Sequence, residues 1–183
     1  MQKIEGAVAV PINAASATVK GVELELAARP FHGLELAGNF SLLDAKFNDF
    51  ATADAARPTL GVINLSGNKL QQAPNYTFNV SAAYTIDSDI GAFTLRGEAV
   101  GTDKVYFSPY NREQVSQAAY TKFNAFLNFK SPDTGLTASL FVRNIADKLT
   151  VSSSQVSAGF SGFPILGAYD APRTYGASIG INF

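Results

Sequence analysis

The chain has no cysteine in its 183 residues. That excludes disulfides, thiol catalysis and thiolate metal sites. A single histidine, His32, excludes a zinc site built on paired imidazoles. Charge is scarce as well: Asp, Glu, Lys and Arg make up 16% of the residues, against about 25% in a typical soluble domain. Yet no stretch approaches the roughly 18 consecutive apolar residues of a transmembrane helix. The formal net charge is −1, so nothing points to nucleic acid as a partner. No phosphate-cradling loop, metal-ligand cluster or nucleophile elbow is present. Neither a cofactor nor an enzymatic activity is expected.

A chain poor in charge that lacks an apolar run can carry its apolar residues at every second position. Hydropathy averages miss such a pattern, and the mean hydropathy here is +0.07. Residues 75–86 show it cleanly. Tyr76, Phe78, Val80, Ala82, Tyr84 and Ile86 share one face, against Asn75, Thr77, Asn79, Ser81 and Thr85. Residues 92–107, 119–130 and 136–146 follow the same rule, although Phe126 interrupts a polar set. Upstream, Val22, Leu24 and Leu26 oppose Glu23 and Glu25, and Leu34, Leu36, Phe40 and Leu42 oppose Glu35, Asn39 and Ser41. The phase then slips at Leu43, Ala45 and Phe47, which predicts a bulge or a strand leaving the bilayer. Residues 4–10 read as one shorter strand. The count is about eight strands and no helix.

The connections alternate in length. Residues 29–33 (RPFHG), 87–91 (DSDIG) and 131–135 (SPDTG) are tight turns. Residues 51–73, 108–118 and 147–172 are long and rich in Gly, Ser, Asn and Pro. Short turns on one rim and long loops on the other are the plan of an outer-membrane barrel. The predicted fold is an all-β, antiparallel up-and-down transmembrane β-barrel sheet.

The last residues, RTYGASIGINF, alternate again. Tyr175, Ala177, Ile179, Ile181 and Phe183 form an apolar face that ends on an aromatic. This end resembles the C-terminal assembly signal of bacterial outer-membrane barrels, which implies the barrel-assembly machinery as a partner. The start, QKIEGAVAVP, lacks the plan of a secretory signal because Glu5 interrupts a short apolar run. An outer-membrane protein needs an export signal, so the expectation is that the chain is the tail of a longer protein.

Four segments in order carry a wider resemblance: VKGVELELAARP, APNYTFNVSAAYT, FVRNIADK and the terminal APRTYGASIGINF. Together they resemble the C-terminal barrel half of TonB-dependent outer-membrane receptors, from about residue 18 to the end. The resemblance implies a barrel of about 22 strands around a plug, set in outer-membrane lipid. It implies import of a scarce ligand of siderophore, cobalamin or glycan type, energised through the TonB complex. Residues 1–183 would be the C-terminal barrel segment. They carry no plug and no TonB-contacting segment, so the rest of the receptor barrel and plug are expected partners. The rival reading is a self-contained eight-stranded outer-membrane barrel with a structural or adhesive role. Its interior would be filled by side chains.

Single residues follow from these faces. His32 reads as a solvated turn residue. Arg96, Glu98, Lys122, Lys130 and Arg143 fall on lumen faces. They are either a charged path for an anionic ligand or a network paired across strands, and the mixed signs favour the network. Tyr106 and Phe107 read as interfacial anchors. Tyr110, Arg112, Phe160, Phe163 and Tyr169 are the candidates for a ligand-facing loop surface. Asn144 and Asp147 read as a turn or strand-end cap.

Overall fold

A computed structural model describes residues 2–5, 8–11, 16–157 and 159–182. In chain order the strands are β1 (Gln2–Glu5), β2 (Val8–Pro11), β3 (Ser16–Ala28), β4 (Leu34–Asp49), β5 (Ala51–Ala53), β6 (Val62–Asn64), β7 (Tyr76–Ser88) and β8 (Gly91–Thr102). They continue with β9 (Val105–Tyr106), β10 (Ser116–Gln117), β11 (Tyr120–Lys130), β12 (Leu136–Arg143), β13 (Val151–Val156), β14 (Ile165–Tyr169) and β15 (Thr174–Ile181).

Alternation puts the long strands together. β3, β4, β7, β8, β11, β12 and β15 form one seven-stranded sheet in that order. Every neighbouring pair is antiparallel. The meander needs only tight turns on one rim, and all three predicted turns lie there. Gly33 (φ 83°), Gly91 (φ 143°) and Gly135 (φ 66°) sit in the left-handed region that a side chain disfavours. Gly135 is also the tightest: an added Cβ would lie 1.9 Å from the Asn182 carbonyl oxygen. Its own carbonyl accepts the Asn182 N–H at 3.0 Å, so the last tight turn holds the end of the last strand.

Register stacks like with like. Across one face run Leu36, Ala82, Gly97, Ala125, Val142 and Tyr175. Tyr84, Leu95, Leu127, Leu140 and Ala177 form the next row. Large apolar residues on this face stand exposed: Leu95 at 61%, Ile179 at 78%, Tyr175 at 82%. A water-facing sheet does not present such a band; a lipid-facing one does. The other face carries Thr85, Thr94, Asn128, Ser139 and Ser178 in one row. Thr85 bonds Thr94 at 2.8 Å, and Ser139 donates to Asn128 at 2.8 Å.

Three expectations change. Within the segment 4–10 the described residues belong to two antiparallel strands, with Ile4 opposite Ala9 and Glu5 opposite Val8, and not to one strand. Of the two readings of the phase slip in β4, the bulge falls away and the strand leaving the bilayer stays, because pairing with β3 runs unbroken from Ala17↔Phe47 to Ala28↔Leu36 and shifts register only beyond it, between Ser16 and Ala17. Ala45 and Phe47 stay on the inward face and are buried, at 5% and 3% exposure. The surroundings change there while the backbone runs on: β4 rises past the apolar band and its inward face is roofed by the first long loop. The long loops also hold strands of their own, β5–β6, β9–β10 and β13–β14. Ladders of two to six residues are too short for alternation to reveal.

Among the described residues a buried apolar cluster lies at the long-loop rim. Phe47, Phe50 and Leu65 are buried together, with Ile63, Leu70 and Tyr110 packed on them. The rings of Phe47 and Phe50 lie 5.0 Å apart.

Candidate functional site

The long-loop rim gathers the candidate residues. The first loop (residues 50–75) and the second (103–119) are zipped together through side chains that reach backbone. Asn111, at φ 47°, accepts the Lys69 N–H at 2.8 Å and donates to the Lys69 carbonyl at 3.0 Å. A short amide side chain tolerates the left-handed backbone and imitates a strand partner. Asn68 donates to the Pro109 carbonyl at 2.9 Å, and Gln72 N–H to the Tyr106 carbonyl at 2.9 Å. The Tyr110 hydroxyl reaches the Ala53 carbonyl at 2.9 Å.

Asp54 is the hub of this zipper. It is 3% exposed and takes bonds from Ala56 N–H at 3.0 Å and Arg57 Nε at 2.9 Å. Arg112 pairs with the same carboxylate. A carboxylate this deep needs such partners, since removing one leaves an uncompensated charge. The Arg112 guanidinium also lies 5.7 Å from the Tyr110 ring centre. Tyr110 and Arg112 are thus brought together and engaged in loop-to-loop contacts. On the rim's exposed side, Lys104 pairs with Glu113. The Glu113 hydrogen bond raises the Lys104 pKa, and the same bond lowers that of Glu113.

The third loop (144–173) is tied to the wall by a different set. Lys122 Nζ on β11 lies 2.9 Å from Asp170 Oδ2, and the Thr150 hydroxyl donates to the same oxygen at 2.6 Å. The Thr150 bond first, and Lys122 second, hold the Asp170 carboxyl below its usual pKa. At the loop's base Asn144, at φ 54°, is buried and caps the turn: Lys148 N–H donates to its Oδ1 at 2.9 Å. Asp147 Oδ1 accepts the Arg173 N–H at 2.7 Å. Gln117 accepts Val151 N–H at 2.6 Å and so links the second loop to the third.

The other predicted residues are scattered. Phe163 has φ 54° and its ring covers Gly159, where an added Cβ would lie 2.7 Å from it. Tyr169 is 65% exposed and faces Val151 across the β13–β14 ribbon. Phe160 belongs to the helical turn Gly159–Ser161, and its side chain lies outside the described residues. On the wall, Arg96 pairs with Glu98, which also accepts from Asn124 at 3.2 Å. Arg96 lies 5.8 Å from the Phe126 ring and Arg143 lies 5.2 Å from the Phe141 ring. Phe126 faces Phe141 across the strands, so the aromatics interrupting the polar face carry the guanidinium groups. Tyr175, Ala177, Ile179 and Ile181 line the outward face of β15 at the sheet's edge. Phe183 lies outside the described residues.

Sequence reasoning missed Asp54, Asn111, Thr150 and Asp170. Their partners lie 58, 42, 20 and 48 residues away, and no spacing rule connects such pairs.

An apolar band outside, a polar face inside, tight turns on one rim and a built loop layer on the other define an outer-membrane β-barrel wall. The particular family follows from comparison. The model of the TonB-dependent receptor-like β-barrel matches residues 3–145, and the chain belongs to that family, whose members are bacterial outer-membrane receptors. The solved structures it is similar to include the ferric yersiniabactin uptake receptor FyuA of Yersinia pestis. There the TM-score is 0.75 at 23% identity, over 93% of this chain and 24% of that one. The ferric preacinetobactin receptor BauA of Acinetobacter baumannii gives 0.70 at 18%, over 97% and 24%. The siderophore receptor PiuA of the same organism gives 0.67 at 16%, over 89% and 21%. The chain spans about a quarter of the length of these receptors.

Proposed function

We propose that this chain supplies one sector of the wall, and three of the ligand-facing loops, of a TonB-dependent importer for a ferric siderophore. The observation that carries this reading is the direction of the two free edges. β3 runs from the long-loop rim to the first tight turn, and β15 runs the same way, ending against Gly135. The two edges are parallel because the sheet has an odd number of strands. An antiparallel barrel needs an even number, so an odd number of further strands must stand between them. A second copy in the same orientation does not help, since each seam it offers is parallel. The rest of a receptor barrel, enclosing a plug and coupled to the TonB complex, supplies that odd number.

Siderophore is favoured over cobalamin or glycan because the receptors named above bind or import siderophores. The rival, a self-contained barrel, needs an eighth spanning strand. β1 and β2 have four residues each, against about 9–11 for a strand that crosses a bilayer. Within the importer, the loops that carry Tyr110, Arg112, Phe160, Phe163 and Tyr169 form the ligand's entry side. Arg96, Glu98, Lys122 and Arg143 line the lumen, and Tyr175 to Phe183 form the signal read by the barrel-assembly machinery.

The test is to delete the coding segment for residues 1–183 in its host. Uptake of radioactive ferric siderophore is then followed under iron starvation, with and without a protonophore. Uptake that depends on both the segment and the proton gradient is expected. Unchanged uptake in the deletion strain ends the reading.

A further inference from the structure

The outward faces of β3 and β4 change character at one level. Nearer the tight turns they carry Val22, Leu24, Leu26, Leu36, Phe40 and Leu42, all exposed. One step nearer the long loops Lys20 stands opposite Asp44, and a further step brings Thr18 opposite Lys46. The first loop adds Lys69, which faces Lys46 directly across an antiparallel bridge. Ala45 and Phe47 on either side of Lys46 are buried inward, so Lys46 points outward. Lys69, its cross-strand partner, shares that face.

The level is set by the strand itself. From Leu34 to Leu42 the chain rises about 26 Å at roughly 3.3 Å per residue. A strand tilt near 40° turns that into about 20 Å of depth, close to the height of a barrel's apolar band. Asp44 and Lys46 therefore stand where the band ends and headgroups begin.

The charges there are incompletely matched. Lys46 Nζ is 2.8 Å from Asp44 on its own strand, and Lys69 Nζ is 3.6 Å from Asp103. Among the described residues Lys20 has no ion pair. Three cations meet two acids, and two of the cations face each other. Like charges directly opposite weaken a strand pair, whereas an anion seated between them turns the repulsion into a bridge.

We propose that Lys20, Lys46 and Lys69 clamp the phosphate of a membrane lipid headgroup in the leaflet on the long-loop side. The acyl chains of that lipid lie down Val22, Phe40 and Leu42. That apolar surface directly below the cations selects a lipid over a free anion, and lysine stems suit it because they lie on apolar surface while the ammonium stays at the headgroups.

The test uses the whole receptor that carries this segment, in neutral maltoside micelles, with strand content followed by far-ultraviolet dichroism. Phosphatidic acid, the matching diacylglycerol and inorganic phosphate are offered, and retained lipid is counted by native mass spectrometry. Phosphatidic acid is expected to be retained and diacylglycerol lost. Each neutralised lysine near a charged lipid surface should weaken retention about fivefold, so K20Q/K46Q/K69Q weakens it roughly a hundredfold. The same three positions as arginine restore it. Equal retention by the triple glutamine variant, or of diacylglycerol, overturns the proposal. Release of phosphatidic acid by millimolar phosphate overturns it too, because the site would then read an anion and no lipid. If the triple variant loses its strand signal, Lys20→Gln decides. It breaks no ion pair and should still cost about fivefold; unchanged retention sinks the clamp.

Discussion

The seven-stranded sheet and the long-loop rim are held by opposite means. The sheet is held by backbone ladders, and its large side chains stand exposed on the outward face. The rim has short ladders, a buried aromatic cluster and side chains that bond to backbone across tens of residues. Alternation suffices for the sheet because a bilayer supplies the missing apolar surroundings. The rim stands in water and has to bury its own apolar groups. One strand, β4, passes through both regimes: its inward face is Glu35, Asn39 and Ser41 below and Ala45 and Phe47 above.

That contrast is broken most sharply at Phe47. Phe47→Ala should remove about 3–5 kcal/mol from the rim by leaving a cavity beneath the first loop. Hydrogen exchange should quicken across residues 50–70 while β11 and β12 keep their protection. Uniform loss across both regions would mean that rim and sheet are one cooperative unit.

Next in size is the distinction between the faces. Leu95 lies mid-sheet on the outward face, with Tyr84 and Leu127 on either side. Leu95→Arg should destabilise the chain in bilayers by about 2–4 kcal/mol, as read by denaturant unfolding. Thr94→Arg, one residue away on the inward face, should cost much less. Equal costs would erase the distinction between lipid and lumen sides.

A smaller effect separates the third loop from the other two. Asp170 is held below its ordinary pKa of 3.8. A depressed carboxyl gives stability that is present above that value and lost as pH falls through the lowered one. Proteolysis of residues 144–173 should therefore stay flat from pH 7 to pH 4 and rise only below about 3.8. Asp170→Asn should remove that rise. An opening centred near pH 6 would assign the loop's hold to some other group.

The least effect is expected at the opposite rim. His32 lies 3.3 Å from Asp87, with its side chain 92% exposed. Exposed pairs contribute little, so His32→Gln should leave the unfolding midpoint unchanged. A clear drop would show that the tight-turn rim is also tied by side chains.

What was legible in the sequence follows the same divide. Tyr76 to Ile86 announces its strand and both its faces, because a period of two survives any tertiary context. RPFHG, DSDIG and SPDTG announce their turns through residues suited to unusual backbone. Leu43, Ala45 and Phe47 are visible as a change, but whether the backbone or its surroundings had shifted depends on the first loop folding over them. Phe126 looks like an error in the polar face until Arg96 is seen above it. Asn111 and Asp54 are ordinary loop residues until their partners arrive from elsewhere in the chain. Local pattern carries the sheet, and long-range complementarity carries the rim.

The shared direction of β3 and β15 also limits how such a wall can be rebuilt. Antiparallel sheets lengthen most simply by whole hairpins, each an outgoing and a returning strand. Any number of hairpins fused to either edge of this sheet leaves the two outermost strands pointing the same way. A circle drawn from this piece and hairpins alone would always keep one mismatched seam. An engineer wishing to seal it into a pore must graft a lone strand, and thereby move one chain terminus to the other side of the membrane.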